Sequence, residues 1–174
     1  MSVVQPQGKQ YASGLLLKQL VVAWLERRGV SMDDIARLVY EVQQKYIRDL
    51  SIAACRESVE RVLEKREVQN AVLTGISIDE MAEKGLLAEP LATMLKSDDG
   101  LYGIDEIMAL SIINIYGSIG FTNFGYLDKV KPGIIGVVND KKSEKVNTFL
   151  DDLVAAIAAA ASSRLAHRDR DGLL

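Results

Sequence analysis

The sequence predicts an all-α fold, a single-domain helical bundle. Three observations carry this prediction. Apolar residues recur at spacings of three and four, as one face of a helix requires. Sustained period-two alternation, the mark of half-buried strands, is hard to find along the 174 residues. Only three prolines interrupt the chain. The length suits one domain with its own core.

The first helix is predicted over 12–28, on the apolar run from Leu15 to Leu25. Lys18-Gln19 breaks that run, which falls short of the roughly 20 apolar residues a membrane span needs. Gly29 ends it, and Ser31 caps the next, over 32–48, with Asp34 completing the capping pattern. Ile35, Leu38, Val39, Val42 and Tyr46 form its stripe. A third helix, over 52–73, rests on Val59, Val62, Leu63, Val72 and Leu73. Gly75-Ile76-Ser77-Ile78-Asp79-Glu80 echoes the segment at Gly29 and predicts another helix end and start, with a helix over 78–84. A short helix follows over 89–96.

Helix 104–116 opens the most apolar stretch of the chain and has little polar face after Glu106. It is therefore predicted to be largely buried, with Ile107, Leu110, Ile112 and Ile115 inside. A helix over 120–130 ends near Lys131, because the following Pro132 biases Lys131 away from helical geometry. Ile134–Val138 reads either as a strand or as a buried helical turn. The last helix, over 144–165, carries Phe149, Leu150, Leu153, Val154 and Ile157 and an alanine run to Ala161. Those alanines allow close packing within the chain or between subunits, which leans toward a homo-oligomer. Residues 1–165 form the predicted domain, and 166–174 a frayed polar tail.

The composition excludes several classes of function. A net charge of −3 gives no electrostatic case for nucleic acid. A single cysteine, Cys55, excludes an intrachain disulfide and a cysteine-based zinc site. A single histidine, His167 in the tail, argues against a histidine dyad, triad or multi-histidine metal cluster. The start of the chain has no signal-peptide pattern, so a soluble, cytoplasmic protein is expected. Chemistry then falls to carboxylates, amines, hydroxyls or a bound metal.

Three acidic clusters adjoin the most apolar segments: Asp105-Glu106, Asp128 ahead of Lys131-Pro132, and Asp151-Asp152. Each alone has an ordinary explanation as a helix-start charge, a surface pair or a solvated edge. Together they are costly to bury unless paired or metal-bound. Inward-facing carboxylates from several helices are a common way for a bundle to hold metal ions. Asp79-Glu80 has the same local pattern as Asp105-Glu106 and serves as the control that should lie outside any such site.

The order Ile104-Asp105-Glu106-Ile107, Leu127-Asp128-Lys129-Val130-Lys131-Pro132 and Asp151-Asp152-Leu153-Val154-Ala155 resembles the phosphatidylglycerophosphatase A family, in its soluble Gram-positive branch of low-temperature-requirement C-like proteins. The resemblance implies an all-helical, magnesium-dependent phosphomonoesterase that converts phosphatidylglycerophosphate to phosphatidylglycerol. It also implies a bundle with a central buried helix surrounded by the others. Its substrate would then be a phospholipid phosphate, met at the inner face of the membrane by a protein without a transmembrane segment. Gly125 stands where membrane-embedded members carry an arginine, and Lys129 or Lys131 is the candidate replacement for that phosphate contact.

Magnesium prefers carboxylate oxygens, and manganese is a possible substitute. Asp105, Asp128 and Asp152 are the expected ligands, with Glu106 and Asp151 supporting them and Lys131 reaching the substrate phosphate. Two other classes compete: a metal-dependent hydrolase of soluble phosphates, and a non-catalytic helical interaction protein.

Overall fold

The computed structural model describes residues 14–140 and 145–173. Among these are nine α-helices and no strand: α1 (Gly14–Arg28), α2 (Met32–Gln43), α3 (Ile52–Val62), α4 (Arg66–Glu83), α5 (Leu91–Ser97), α6 (Ile104–Ile113), α7 (Gly117–Val130), α8 (Ile134–Val138) and α9 (Leu150–Arg170). No helix among the described residues is long and apolar enough to cross a membrane.

The cap at Ser31 forms as its sequence requires. Its Oγ accepts the Asp34 N–H at 3.1 Å, and the Asp34 carboxylate accepts the Ser31 N–H at 3.0 Å. The echo at Gly75 does not start a helix. α4 runs unbroken through Gly75 and Ser77, and the helix break falls earlier, between Val62 and Arg66. Gly75 serves packing instead. A Cβ there would lie 2.5 Å from Leu153 Cδ1 and 3.0 Å from Phe149 Cβ, so bare backbone lets α4 close against the start of α9. Ser77 turns its hydroxyl back to the Leu73 carbonyl at 2.7 Å, the mid-helix alternative to capping.

The centre of the bundle is α9. It is buried at every position from Leu150 to Ser163, and α2, α3, α4, α6, α7 and α8 pack around it. The alanine run Ala155–Ala161 is therefore consumed within the chain, where small side chains let several helices approach one axis. Two hydroxyls pin the neighbours: Ser58 Oγ donates to the Ala161 carbonyl at 2.9 Å, and Ser163 Oγ to the Tyr116 carbonyl at 2.6 Å. α9 also continues to Arg170, five residues past the predicted end, because Arg168 reaches Glu57 at 3.4 Å and the Leu173 carbonyl at 2.8 Å.

α6 corrects a second expectation. Ala109, Ile112 and Ile113 are buried, but Ile104, Ile107 and Ile115 are 51%, 61% and 54% exposed. The helix packs one side on α4 and α9 and leaves an apolar stripe outside. The ambiguous segment at 134–138 is the short helix α8, packed on α9 and α2.

Candidate active site

Asp151 and Asp152 lie in the first turn of α9, so the placement of that turn sets the site. The approach to it is held from four elements. Asp79 on α4 accepts the N–H groups of Phe149 and Leu150, both at 3.1 Å. Glu83 accepts the Val146 N–H at 2.8 Å. The buried Arg28 at the end of α1 donates to the Val146 carbonyl and to Asn147 Oδ1, both at 2.6 Å, and pairs with Glu83 at 2.7 Å. Thr148 Oγ1 donates to the Leu95 carbonyl on α5, and Asn147 Nδ2 to the Val138 carbonyl on α8, each at 2.7 Å. Burial pushes the Asp79 carboxyl up to about 8, against the two N–H donors and Arg28.

The three acidic clusters meet in one cavity of about 390 Å³. Asp105 and Glu106 enter from the start of α6, Asp128 and Lys131 from the end of α7, and Asp151 and Asp152 from α9. Asp98 and Asp99 come from the turn after α5, and Asn139 from the end of α8. Asp79 and Glu80 are outside this lining. Lys129 is exposed and also outside it, one position around α7 from Asp128.

Lys131 is the cation of this cavity. It ends α7 in the left-handed region at φ 47°, a conformation that costs a side-chain-bearing residue about 1–2 kcal/mol. Its ammonium lies 2.6 Å from Asp151 and 3.3 Å from Asp128. Burial works against its charge, but the Asp151 bond and the nearby acids hold its pKa well above the ordinary lysine value. Asn139 Nδ2 donates to the same Asp151 oxygen at 2.7 Å. Burial pushes the Asp151 pKa upward, against Lys131 and Asn139.

Asp152 has no such support. It is almost wholly buried, and nothing among the described residues donates to its carboxylate. Burial, together with Asp151, Asp128 and Asp105, pushes it up to about 8. Asp105 is buried as well, and its pKa is raised chiefly by that burial, against the Glu106 N–H that it accepts at 3.0 Å. Among the described residues no three carboxylates are gathered tightly enough to make a preassembled metal cage. What the cavity offers is an all-oxygen, strongly acidic wall with one ammonium set into it.

Asn139, Asp98 and Asp99 were not candidates from the sequence. Asp98-Asp99-Gly100 is a short acidic turn with no ligand spacing in its sequence, and a lone asparagine carries no signal before the fold places it.

The family profile of Phosphatidylglycerophosphatase A matches residues 21–167. The uncharacterized protein YutG of Bacillus subtilis is 61% identical over 148 residues, covering 85% of this chain and 89% of that protein. The low temperature requirement C protein of Listeria monocytogenes has a crystal structure that matches with a TM-score of 0.87 at 60% identity, over 94% of this chain and 100% of that one. Protein ypjQ of Bacillus subtilis matches with a TM-score of 0.88 at 51% identity, over 92% of this chain and 99% of that one. The chain belongs to the phosphatidylglycerophosphatase A family.

Proposed function

We propose that this member of the phosphatidylglycerophosphatase A family is a divalent-cation-dependent phosphomonoesterase, acting on phosphatidylglycerophosphate at a membrane surface. The observation that carries the proposal is Asp152, a buried carboxylate with acidic neighbours and no donor among the described residues. Such a group fits a hard divalent cation, and the oxygen-only donor set suits magnesium or manganese. Asp152, Asp128 and Asp105 are the residues that would hold the ion, with Glu106 at the exposed rim in support. A bound divalent cation supplies charge neutralisation at the phosphoryl oxygens.

The protein's own groups do the rest. Lys131 Nζ is the donor available to a substrate phosphate oxygen, which replaces the arginine contact that Gly125 removes. Asp151 acts mainly through Lys131: its bond, backed by Asn139, keeps the ammonium charged and aimed into the cavity. Exposed Lys129 is free to meet the membrane rather than the reacting phosphate. Leu101, 96% exposed, and the outward Ile104 and Ile107 flank the cavity mouth and are suited to the apolar edge of a bilayer.

The deciding experiment measures phosphate release from phosphatidylglycerophosphate and from a panel of nucleotides and sugar phosphates, with magnesium, manganese or EDTA. Metal-dependent turnover confined to the lipid supports the proposal. Turnover confined to soluble phosphates redirects it to the competing hydrolase class, and no turnover on any substrate leaves the interaction protein.

A further inference from the structure

The chain is acidic overall, yet one cavity is cationic. It measures about 410 Å³ and lies where α3 turns into α4, beside the second half of α9. Arg61 enters from the last turn of α3, Lys65 from the turn after it, Tyr116 from the α6–α7 junction and Arg164 from α9, with Glu64 the one acid in the lining. Arg164 is roughly 18 Å along α9 from Asp152, so this cavity is separate from the acidic one.

The acids around it are oversubscribed. Glu57 serves three arginines, at 3.4 Å from Arg168 and 4.0 Å from both Arg61 and Arg164. Glu64 is divided between Arg61 and Lys18, each at 3.2 Å. Lys65 has no carboxylate partner among the described residues. Arg164 is mostly buried, and its contacts are long: 3.4 Å to Ser58 Oγ and 4.0 Å to Glu57. A guanidinium carries five N–H donors in a fixed fork, and Arg164 makes no short bond to a carboxylate among the described residues, so its fork is open to the cavity. Burial, then Arg168 and Arg61, disfavour its charge, with only Glu57 and Tyr116 in its support. An anion with several oxygens matches the geometry of the fork and supplies the countercharge that the two long contacts do not.

We propose that this cavity is a second, non-catalytic anion site, which takes a phosphate anion on Arg61, Lys65, Arg164 and the Tyr116 hydroxyl. Free orthophosphate and a phospholipid headgroup share that chemistry. The test titrates the full chain in EDTA with orthophosphate at constant ionic strength, followed by amide NMR. Saturable shifts at Lys65, Tyr116 and Arg164 are the expected result, with no counterpart in sodium chloride. Arg164→Gln and Arg61→Gln should each weaken that binding at least tenfold, whereas Lys131→Gln in the acidic cavity should not change it. Co-sedimentation with phosphatidylglycerol vesicles, against phosphatidylcholine vesicles, separates the two sources. Vesicle binding lost in Arg164→Gln assigns the site to a headgroup, and vesicle binding unaffected while the orthophosphate shifts are lost assigns it to free phosphate. Circular dichroism checks that the variants fold, and Lys65→Gln, at an exposed position, supplies a variant without a burial effect. Shifts that never saturate, or that persist in all three cationic-cavity variants, overturn the proposal.

Discussion

Asp79→Ala removes the acceptor of two backbone donors, the N–H groups of Phe149 and Leu150, each bound at 3.1 Å. A buried donor left without a partner costs about 1–3 kcal/mol, and the start of α9 has no side-chain cap from its own N-cap residue. Burial holds the Asp79 carboxyl up to about 8. At about pH 4 and below it is protonated in the folded and unfolded states alike, so deleting it there recovers no ionisation cost. The net loss at that pH is expected to be about 3 kcal/mol, which at about 2–4 °C per kcal/mol for a domain of this size lowers Tm by about 6–12 °C. Asp79→Asn keeps one acceptor and is expected to lose about half as much. The pH dependence gives an independent readout. Below about pH 4 the carboxyl is protonated in both states. Between about pH 4 and pH 8 the folded state keeps a proton that the unfolded chain has released, so stability declines by about 1.4 kcal/mol per pH unit from this group. Its contribution is thus fully present at acid pH and lost as pH rises through about 8. Asp79→Asn should remove that part of the slope. Urea titrations by circular dichroism in EDTA, across this pH range, measure both effects. An Asp79→Ala variant as stable as wild type at about pH 4, or an Asp79→Asn variant with the wild-type slope, would refute the assignment of Asp79 as the anchor of α9.

Magnesium or manganese is expected to raise the Tm of the wild type, by about 2.7 kcal/mol of stability at a hundredfold excess over Kd, while sodium chloride at matched ionic strength does not. Asp152→Asn, which removes a buried carboxyl that the fold keeps from ionising, should melt higher than wild type in EDTA near neutral pH and respond less to metal; differential scanning fluorimetry reads both. Lys131→Gln should reduce kcat/KM at least tenfold and lower stability by about 3 kcal/mol, since it leaves the buried Asp151 with only Asn139; steady-state kinetics and urea unfolding check the two effects. Leu101→Asp with Ile107→Asp should cut turnover of substrate in vesicles about tenfold and leave turnover of a short-chain soluble analogue unchanged, with no loss of Tm because both residues are exposed.

The helical class and most helix positions are legible because periodicity and caps are local, as at Ser31, where the capping box forms just as its residues require. What the residues do not reveal is which helix holds the centre. α6 has the higher mean hydropathy, yet Ile104, Ile107 and Ile115 face outward, while α9, with its acids and plain alanines, is enclosed. Hydrophobicity measures what a side chain gains by leaving water, whereas the central position demands that neighbours approach from every direction, and alanine meets that demand best. Gly75 follows the same logic. Its sequence context reads as a helix end, but its function is set by Leu153 and Phe149, residues distant in the chain.

The acidic site divides along the same line. Its order of motifs is local and readable, and the carboxylates of Asp105, Glu106, Asp128, Asp151 and Asp152 do share a cavity. The split of roles inside it is not readable, because it depends on where one ammonium lands. Asp151 has Lys131 and Asn139 within 2.7 Å, while its neighbour Asp152 has no donor among the described residues and is pushed up to about 8. Adjacent carboxylates on one helix turn thus have opposite electrostatic standing. One is neutralised by the protein and positions its lysine. The other is left in a state that only a proton or an added cation relieves.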